Sequence, residues 1–524
     1  MKEKINYSFL IVIIAVFLSL WLRMAAVWNN NFPFTMDQGR DMVDIRSMVV
    51  THTPRLVGPT TSINGVLLGP AWYYFLLTPF LLSNGNPAAI LFWQILWYQF
   101  SAIFLWWSLS KYNQRLGLIC SVLFLFMPVG FYANRYFWNA NAMLIFTAFF
   151  FGMLFLMINK PSSKKALVTG ILAGISLQIE AAFGIIFFPF VFFFLTSKKS
   201  GIKNLAALSS GFFITLLPQI LFEIRHQFIM TKVLIAEFSG DAAVLGEKID
   251  LSERVGERYS ALIKRVVEIS HFHPSIIITV FFLGLLVGTL LILSKKKSAL
   301  KDYFSVSILF LIFSGMFYLA FPQHLKGWYL LGLSVPLIII VSLFLENILS
   351  WKIKPLSLAV GAFVILHILF AIKEQNLYLK QVASLPSDDP SNLKNELTAI
   401  DWVYEKVSGQ GFKAYNYIPS VYDFNYHYLY WWYGAKKYGY QPADVAYLPN
   451  QPEYIQNNSL LWTRARPVVE DSPVMLLIEI DKEMPEREQK WMGNFSIYCL
   501  NEEKEFPFGV KAIKVELCSK VINR

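Results

Sequence analysis

Apolar runs of span length follow one another along most of the chain, separated by short polar stretches rich in lysine and arginine. A helix needs roughly 20 apolar residues to cross the hydrocarbon core of a bilayer. Segments near 7–28, 87–109, 115–132, 139–158, 204–222, 275–294, 302–320, 325–345 and 353–372 satisfy this as helical spans. The stretch "ALVTGILAGISLQIEAAFGIIFFPFVFFFL", 166–195, is too long for one span and short for two. Basic stretches flank both ends, which predicts a hairpin of two short helices breaking near Gln178–Gly184. Such a hairpin leaves a cavity, with Glu180 at its floor. The stretch "NGVLLGPAWYYFLLTPFLLSNGNP", 64–87, holds Gly69-Pro70, Pro79 and Trp72-Tyr73-Tyr74. Counted as a crossing it inverts every later basic loop, so it is expected to lie in the outer interface with its aromatic belt. The total is about eleven crossings.

Beyond residue 372 the pattern changes. "NLKNELTAIDWVYEKV" reads as an amphipathic helix and "DFNYHYLYWWYGAKK" as a second, aromatic-rich one. "PVMLLIEI", "FSIYCLN" and "GVKAIKVEL" read as strands by β-branched content and partial alternation. The fold class expected is a polytopic α-helical membrane protein with a small extracytoplasmic α/β domain. The membrane domain spans 1–372, with external loops at 29–86 and 223–274, and the tail domain spans 373–524. No repeat of 20–50 residues is visible, which argues against solenoids and repeat-built transporters.

Composition agrees with the pattern. Hydrophobic residues make up 55% of the 524 and aromatics 16%, too much apolar surface for a soluble core to absorb. The net charge of +11 has a plain origin in "KYNQR" at 111–115, "NKPSSKK" at 159–165, "KKSGIKN" at 198–204 and "KKKSALK" at 295–301. These mark the cytoplasmic side by the positive-inside rule, so nucleic acid is not a partner. The first run lacks a small-residue cleavage site and reads as an uncleaved anchor. The expected setting is the plasma membrane, with the N-terminus inside and the tail outside. Of three cysteines, Cys120 lies in an apolar run as packing. Cys499 and Cys518 are able to pair if the tail faces an oxidising space, a question the two positions alone leave open.

Only 15% of residues are charged, yet "FPFTMDQGRDMVDIRSMVV" crowds Asp37, Arg40, Asp41, Asp44 and Arg46 together just past the first span. Solvated surface is the usual explanation for such a cluster. Here the segment needs no solubilising, and helical spacing puts Asp37, Arg40, Asp41 and Asp44 on one face. Asp37 beside Arg40 is expected to stay ionised, as a base must. More polar residues fall at the same outer edge: Glu223, Arg225 and His226 in "PQILFEIRHQF", His324 and Lys326 in "FPQHLKGWYLLG", Arg135, Asn139 and Asn141 in "RYFWNANA", and Glu180. Snorkelling or helix capping explains any one of them. Together they describe an outward-facing cavity suited to a lipid-linked phosphosugar, which needs a greasy groove, a basic phosphate contact and a carboxylate base.

"DQGRD", "LVGPTTSINGVLLGPAWYYF", "RYFWNANAM" and "PQILFEIRHQF" carry a resemblance to the GT-C glycosyltransferases. The chain resembles the protein O-mannosyltransferases, the lipid A aminoarabinose transferases and a bacterial PMT-like branch, over the layout of 1–372. The resemblance implies that Asp37 deprotonates the acceptor and that Arg40 accompanies it. Gln38 stands where the mannosyltransferases have a Glu, so Asp41 is the candidate second carboxylate. Pro70, Trp72 and Tyr73 match the Pro-aromatic interfacial motif, but the Lys before it is missing. Phosphate binding then falls to Lys326, Arg225 or Arg135, with Asp44 and Asn64 as further substrate contacts in the first loop. The implied reaction is an inverting displacement from a polyprenyl-phosphate sugar to a hydroxyl of a protein, lipid or polysaccharide. No cofactor or essential metal is expected, since "DQGRD" is not a D-x-D pair. A transporter or flippase of lipid-linked saccharides, a pyrophosphate-donor oligosaccharyl or ligase-type transferase, and a non-catalytic scaffold stay open. In the last, the rings of "HYLYWWYGAKKYGYQP" stack on sugars, or else pack against lipid.

Overall fold

The computed structural model describes residues 7–239, 249–294, 298–384, 387–449 and 462–518. The expected basic loop at 295–301 and the cytoplasmic N-terminus fall partly outside these. Two compact units are present. One takes Met1–Arg23, Arg55–Phe75 and Trp93–Leu377; the other takes Met24–Pro54, Leu76–Phe92 and Tyr378–Arg524. The tail is thus grouped with two stretches of the N-terminal region.

Among the described residues, eight helices are long and apolar enough to cross a membrane. They are Tyr7–Met24, Pro87–Ser110, Asn139–Asn159, Gly201–Arg225, Pro274–Leu293, Ala299–Ala320, Gly327–Ser350 and Lys354–Gln381. Shorter apolar helices occupy Ala71–Ser83, Gln114–Phe126 and Ala181–Ser197. The chain is an integral membrane protein. Ala71–Ser83, at 1.5 Å per residue, is about 20 Å long, short of the ~30 Å core.

The first unit shows why the hairpin region breaks where it does. Ser163–Ile179 starts on the Ser162 side chain, which caps Lys165 N, and ends at Glu180, whose backbone is extended (φ −147°, ψ 99°). Glu180 then caps the next turn, Ala181–Gly184. Ser163–Ile179 lies against Gly201–Arg225 backbone to backbone: a Cβ on Gly170 would stand 2.0 Å from the Leu208 carbonyl oxygen. Small residues at such a crossing let two apolar helices approach closely in lipid. The span at 327–350 opens as a 3-10 turn, Gly327–Leu333, and continues as the α-helix Ser334–Ser350. Its residues Ser334–Asn347 are all buried, as befits a helix apolar on every side.

The second unit is built on a five-stranded sheet of order β2-β1-β3-β5-β4. Its strands are β1 (Lys413–Tyr417), β2 (Asp444–Ala446), β3 (Val474–Glu479), β4 (Tyr498–Phe506) and β5 (Val510–Leu517). Strand β1 pairs in parallel with β2 and β3, while β5 pairs antiparallel with β3 and β4. The expected strands correspond to β3 and β5 and to the first residues of β4, which starts at Tyr498 and runs on to Phe506; β1 and β2 went unrecognised because they are short. Strand β3 is buried along its whole length, as a central strand covered on both faces should be. The helix Leu393–Val407 buries Leu393, Leu397, Ile400, Val403 and Val407, at helical spacing. The aromatic-rich stretch is a broken helix, Phe424–Leu429, Tyr430–Gly434 and Ala435–Tyr438, ended by Gly439 at φ +82°. Tyr426, Tyr428 and Tyr430 are wholly buried, so these rings are core and face neither lipid nor sugar.

Cys499 and Cys518 form a disulfide that joins β4 to the end of β5. Their separation of 19 residues corresponds to roughly 3 kcal/mol of loop-closure stabilisation. Maleimide is expected to leave both thiols unlabelled in membranes until a reductant is added, and Cys499→Ser should lower the unfolding midpoint of the tail.

Glu396 and Glu479 are two of the buried carboxylates of this unit. Asn425 Nδ2 donates to Glu396 (2.5 Å) and Ser391 Oγ to Glu479 (2.9 Å). Burial pushes Glu479 up to about 7 and lifts Glu396 well above the ordinary 4.5, the charge of Glu479 adding to the effect on Glu396. Both values are raised on folding, so the folded state holds the extra protons. Their contribution to stability is therefore fully present below about pH 4.5 and is lost as pH rises through 7. Thermal unfolding of the tail should show a higher midpoint at pH 5 than at pH 8, and Glu396→Gln should flatten part of that slope.

Candidate functional site

The charged helix of the first loop, Met36–Thr51, belongs to the second unit. It begins with a capping box. Thr35 is the N-cap, its backbone N donates to Gln38 Oε1 (2.7 Å), and Gln38 Nε2 reaches back to the Pro33 carbonyl (2.9 Å). Gln38, standing where a second acid was sought, therefore has a structural task. Asp37 falls in the first turn, where the helix dipole favours negative charge.

Arg40 is gripped on both sides. Its Nη1 pairs with Asp37 Oδ1 at 2.9 Å, and its Nη2 and Nε reach Asp41 Oδ1 at 2.9 and 3.1 Å. The Asp41 side chain is wholly buried, Arg40 is 11% exposed and Asp37 33%. Asp41 was the other candidate catalytic carboxylate; its burial and double hydrogen bond make it the anchor of Arg40. Asp37 is the most exposed member of the trio. Asp44 is half-buried, and Arg46 is buried, with Nη1 3.4 Å from His427 Nδ1 and its guanidinium over the Trp431 ring.

This helix is mounted on the tail. Pro33 bridges Asn392, Phe34 N donates to the Ser391 carbonyl (2.7 Å), and Leu393 N donates to Phe32 O (3.0 Å). Asn392 Nδ2 adds a bond to Asn31 Oδ1 (2.8 Å). At Gly39 the helix touches the backbone of the Phe424–Leu429 helix, where a Cβ would stand 2.2 Å from Asn425 N. The sequence offered one signal for this, a glycine inside a short charged helix.

The remaining candidates belong to the first unit. Asn139 Nδ2 donates to the Ile179 carbonyl (2.8 Å) and approaches Glu180 Oε2 (3.4 Å), both residues being buried. Lys326, exposed, lies close enough to Glu180 for their charges to interact, and its Nζ donates to Ser62 Oγ (2.9 Å). Tyr318 and Tyr329 belong to the same cluster, and the Tyr318 hydroxyl donates to the carbonyls of Ala182 and Tyr329. Asn139, Glu180 and Lys326 are therefore brought together, and Ser62, Tyr318 and Tyr329 were missed. Arg135 instead bonds Gln375 Oε1 (2.9 Å) over the Tyr132 ring, and Asn141 bonds the Tyr136 carbonyl (2.8 Å). Glu223 caps the helix Ile229–Ser239, accepting from Met230 N and Thr231 N. His226 stacks on Phe222, Arg225 and Asn64 are exposed, and His324 faces Glu257 at 3.5 Å. Pro70 is buried, and Trp72 and Tyr73 are wholly buried, with Trp72 stacked on Phe75.

No protein-family model matches the chain, and no curated protein matches it by sequence. Solved structures do resemble it. ArnT from Cupriavidus metallidurans bound to undecaprenyl phosphate superposes with a TM-score of 0.57 at 10% identity, over 96% of this chain and 97% of that one. The oligosaccharyltransferase of Archaeoglobus fulgidus, in complex with Zn and sulfate, gives 0.52 at 14% identity, over 96% of this chain and 72% of that one. The chain has the GT-C fold. At these identities the likeness is one of fold, and the chemistry has to be argued from the residues. The sequence candidates fall into two polar groupings, the Asp37–Arg40–Asp41 trio of the second unit and the Asn139–Glu180–Lys326 cluster of the first.

Proposed function

We propose that this GT-C chain is a glycosyltransferase that moves a sugar from a polyprenyl-phosphate donor to an acceptor hydroxyl at the outer face of the plasma membrane. The observation that carries the reading is Asp37: a part-open carboxylate in the first turn of a helix, with Arg40 held against it by the buried Asp41. Support for the donor class comes from the fold shared with ArnT, whose structure was solved with undecaprenyl phosphate. The tail disulfide supports an oxidising, extracytoplasmic side for the second unit.

In the proposed step the acceptor O–H gives its proton to Asp37 as its oxygen bonds the anomeric carbon. The bond from that carbon to the phosphate oxygen breaks on the opposite face, and polyprenyl phosphate leaves with inversion. Arg40 orients Asp37. A monophosphate leaving group asks only for side-chain cations, so the reaction is proposed to run without a metal ion and to persist in EDTA.

The test is to offer membranes containing the chain a panel of radiolabelled polyprenyl-phosphate sugars, mannose and arabinose among them, and to identify the labelled product. Transfer from one of them, undiminished by EDTA, agrees with the proposal. Transfer only from a pyrophosphate-linked donor, with a need for Mg²⁺ or Mn²⁺, would replace it.

A further inference from the structure

The helix Leu251–Val267 has three kinds of side on one short cylinder. Each residue advances about 100° around a helix. Arg254, Arg258 and Arg265 fall within roughly 40° of one another, and the latter two are buried. Leu251, Val255 and Tyr259 occupy the next sector and are 65%, 50% and 60% exposed. Glu253, Ser260 and Lys264, all exposed, lie on the far side.

Arg258 and Arg265 pair with Glu257 and Glu268, and all three arginines hold backbone. Arg254 Nη1 donates to Leu319 O (2.8 Å) and Arg258 Nε to Tyr318 O (3.2 Å). Arg258 Nη2 donates to Phe321 O (3.0 Å) and Gln323 O (2.5 Å), and Arg265 Nη2 to Gly327 O (2.7 Å). Glu257 Oε1 accepts from Leu325 N (3.0 Å). These are the carbonyls left over at the C-terminal end of the span Ala299–Ala320 and in the turn that follows, where cations are favoured. That turn carries Lys326.

The described residues leave Leu251, Val255 and Tyr259 exposed, while Val266, in the same sector nearer the span, is buried, and only residues 268–273 separate the helix from the span Pro274–Leu293. The preceding loop helix, Ile229–Ser239, follows the span Gly201–Arg225 by residues 226–228 and likewise exposes Ile229 and Ile235. An amphipathic helix tethered this closely to a span, with a water-facing sector beside an apolar one, fits the headgroup boundary of a bilayer.

We propose that Leu251–Val267 lies in the membrane interface, with Leu251, Val255 and Tyr259 in lipid, and that its arginines fix the 321–327 turn, and so Lys326, at headgroup depth. The helix is then a depth gauge: lipid holds one side and the turn hangs from another. Neither the lipid contact nor the fixing of the turn rests on the proposed function.

Nitroxide labelling tests both halves. Cys120 is buried and Cys499 and Cys518 are bonded, so a label goes to an introduced cysteine. In lipid nanodiscs, labels at Val255→Cys and Tyr259→Cys should collide with oxygen several-fold more than with a water-soluble nickel chelate. Labels at Glu253→Cys and Ser260→Cys should show the reverse. Equal nickel accessibility at all four positions would overturn the lipid contact. Arg258→Gln should speed amide exchange at Leu325 at least tenfold and raise the mobility of a label at Lys326→Cys. No change in either would remove the arginines' part. Neither readout uses glycosyl transfer, so their failure is distinct from failure of the proposed function.

Discussion

Asp37→Asn should lower sugar transfer by about 10²–10⁴-fold while leaving the affinity for polyprenyl-phosphate sugar close to wild type. The substitution keeps size and hydrogen-bonding reach but removes the site that accepts the acceptor's proton. Arg40 retains Asp41, at 2.9 Å, so its position survives the change. Asp41→Asn should behave differently. It loosens Arg40 in a wholly buried place, so both the unfolding midpoint and transfer should fall. Single-turnover transfer beside a lipid-binding isotherm separates the two cases. A fall in donor affinity equal to the fall in rate for Asp37→Asn would mean that Asp37 binds substrate and is not the base.

Gly39→Val should be the most damaging change outside the trio. Even the first added carbon would stand 2.2 Å from Asn425 N and 2.5 Å from Asn425 Cα, and backbone atoms cannot swing aside as a side chain can. Overpacking of this kind costs about 1–3 kcal/mol. It also pushes the Asp37 helix off the tail, and a displacement of ~1 Å is enough for about a 10²-fold loss of rate. Gly315→Ala is the control, since nothing lies within 4 Å of the Cβ it adds. It should leave rate and midpoint unchanged or raise the midpoint slightly. Equal behaviour of the two variants would deny the close contact at Gly39.

The sequence displayed what is periodic and hid what is assembled. Span-length apolar runs mark their helices by hydrophobicity alone, and the hairpin break emerged at Glu180 because basic stretches at both ends demanded a reversal. The Asp37–Arg40–Asp41 grouping was legible because its members are three and one residues apart on a single helix. Its mounting was not, because Pro33, Gly39, Asn392 and Asn425 meet only after the tail has folded. Burial likewise reassigned residues whose type suggested a surface task. Tyr426, Tyr428 and Tyr430 alternate along one stretch, and all three rings entered the core. Trp72 and Tyr73 matched a motif by type and went into packing. The arginines of Leu251–Val267 were readable as one helical face, but their backbone partners are carbonyls, which no side-chain pattern announces.

The most direct measurement follows both products of one reaction. Purified chain in nanodiscs receives a doubly labelled polyprenyl-phosphate sugar and an acceptor, and free polyprenyl phosphate is counted against glycosylated acceptor. The account predicts equal amounts of the two, with the anomeric configuration inverted and both lost in Asp37→Asn. Lipid-linked sugar that crosses the bilayer intact, with neither product formed, would contradict it.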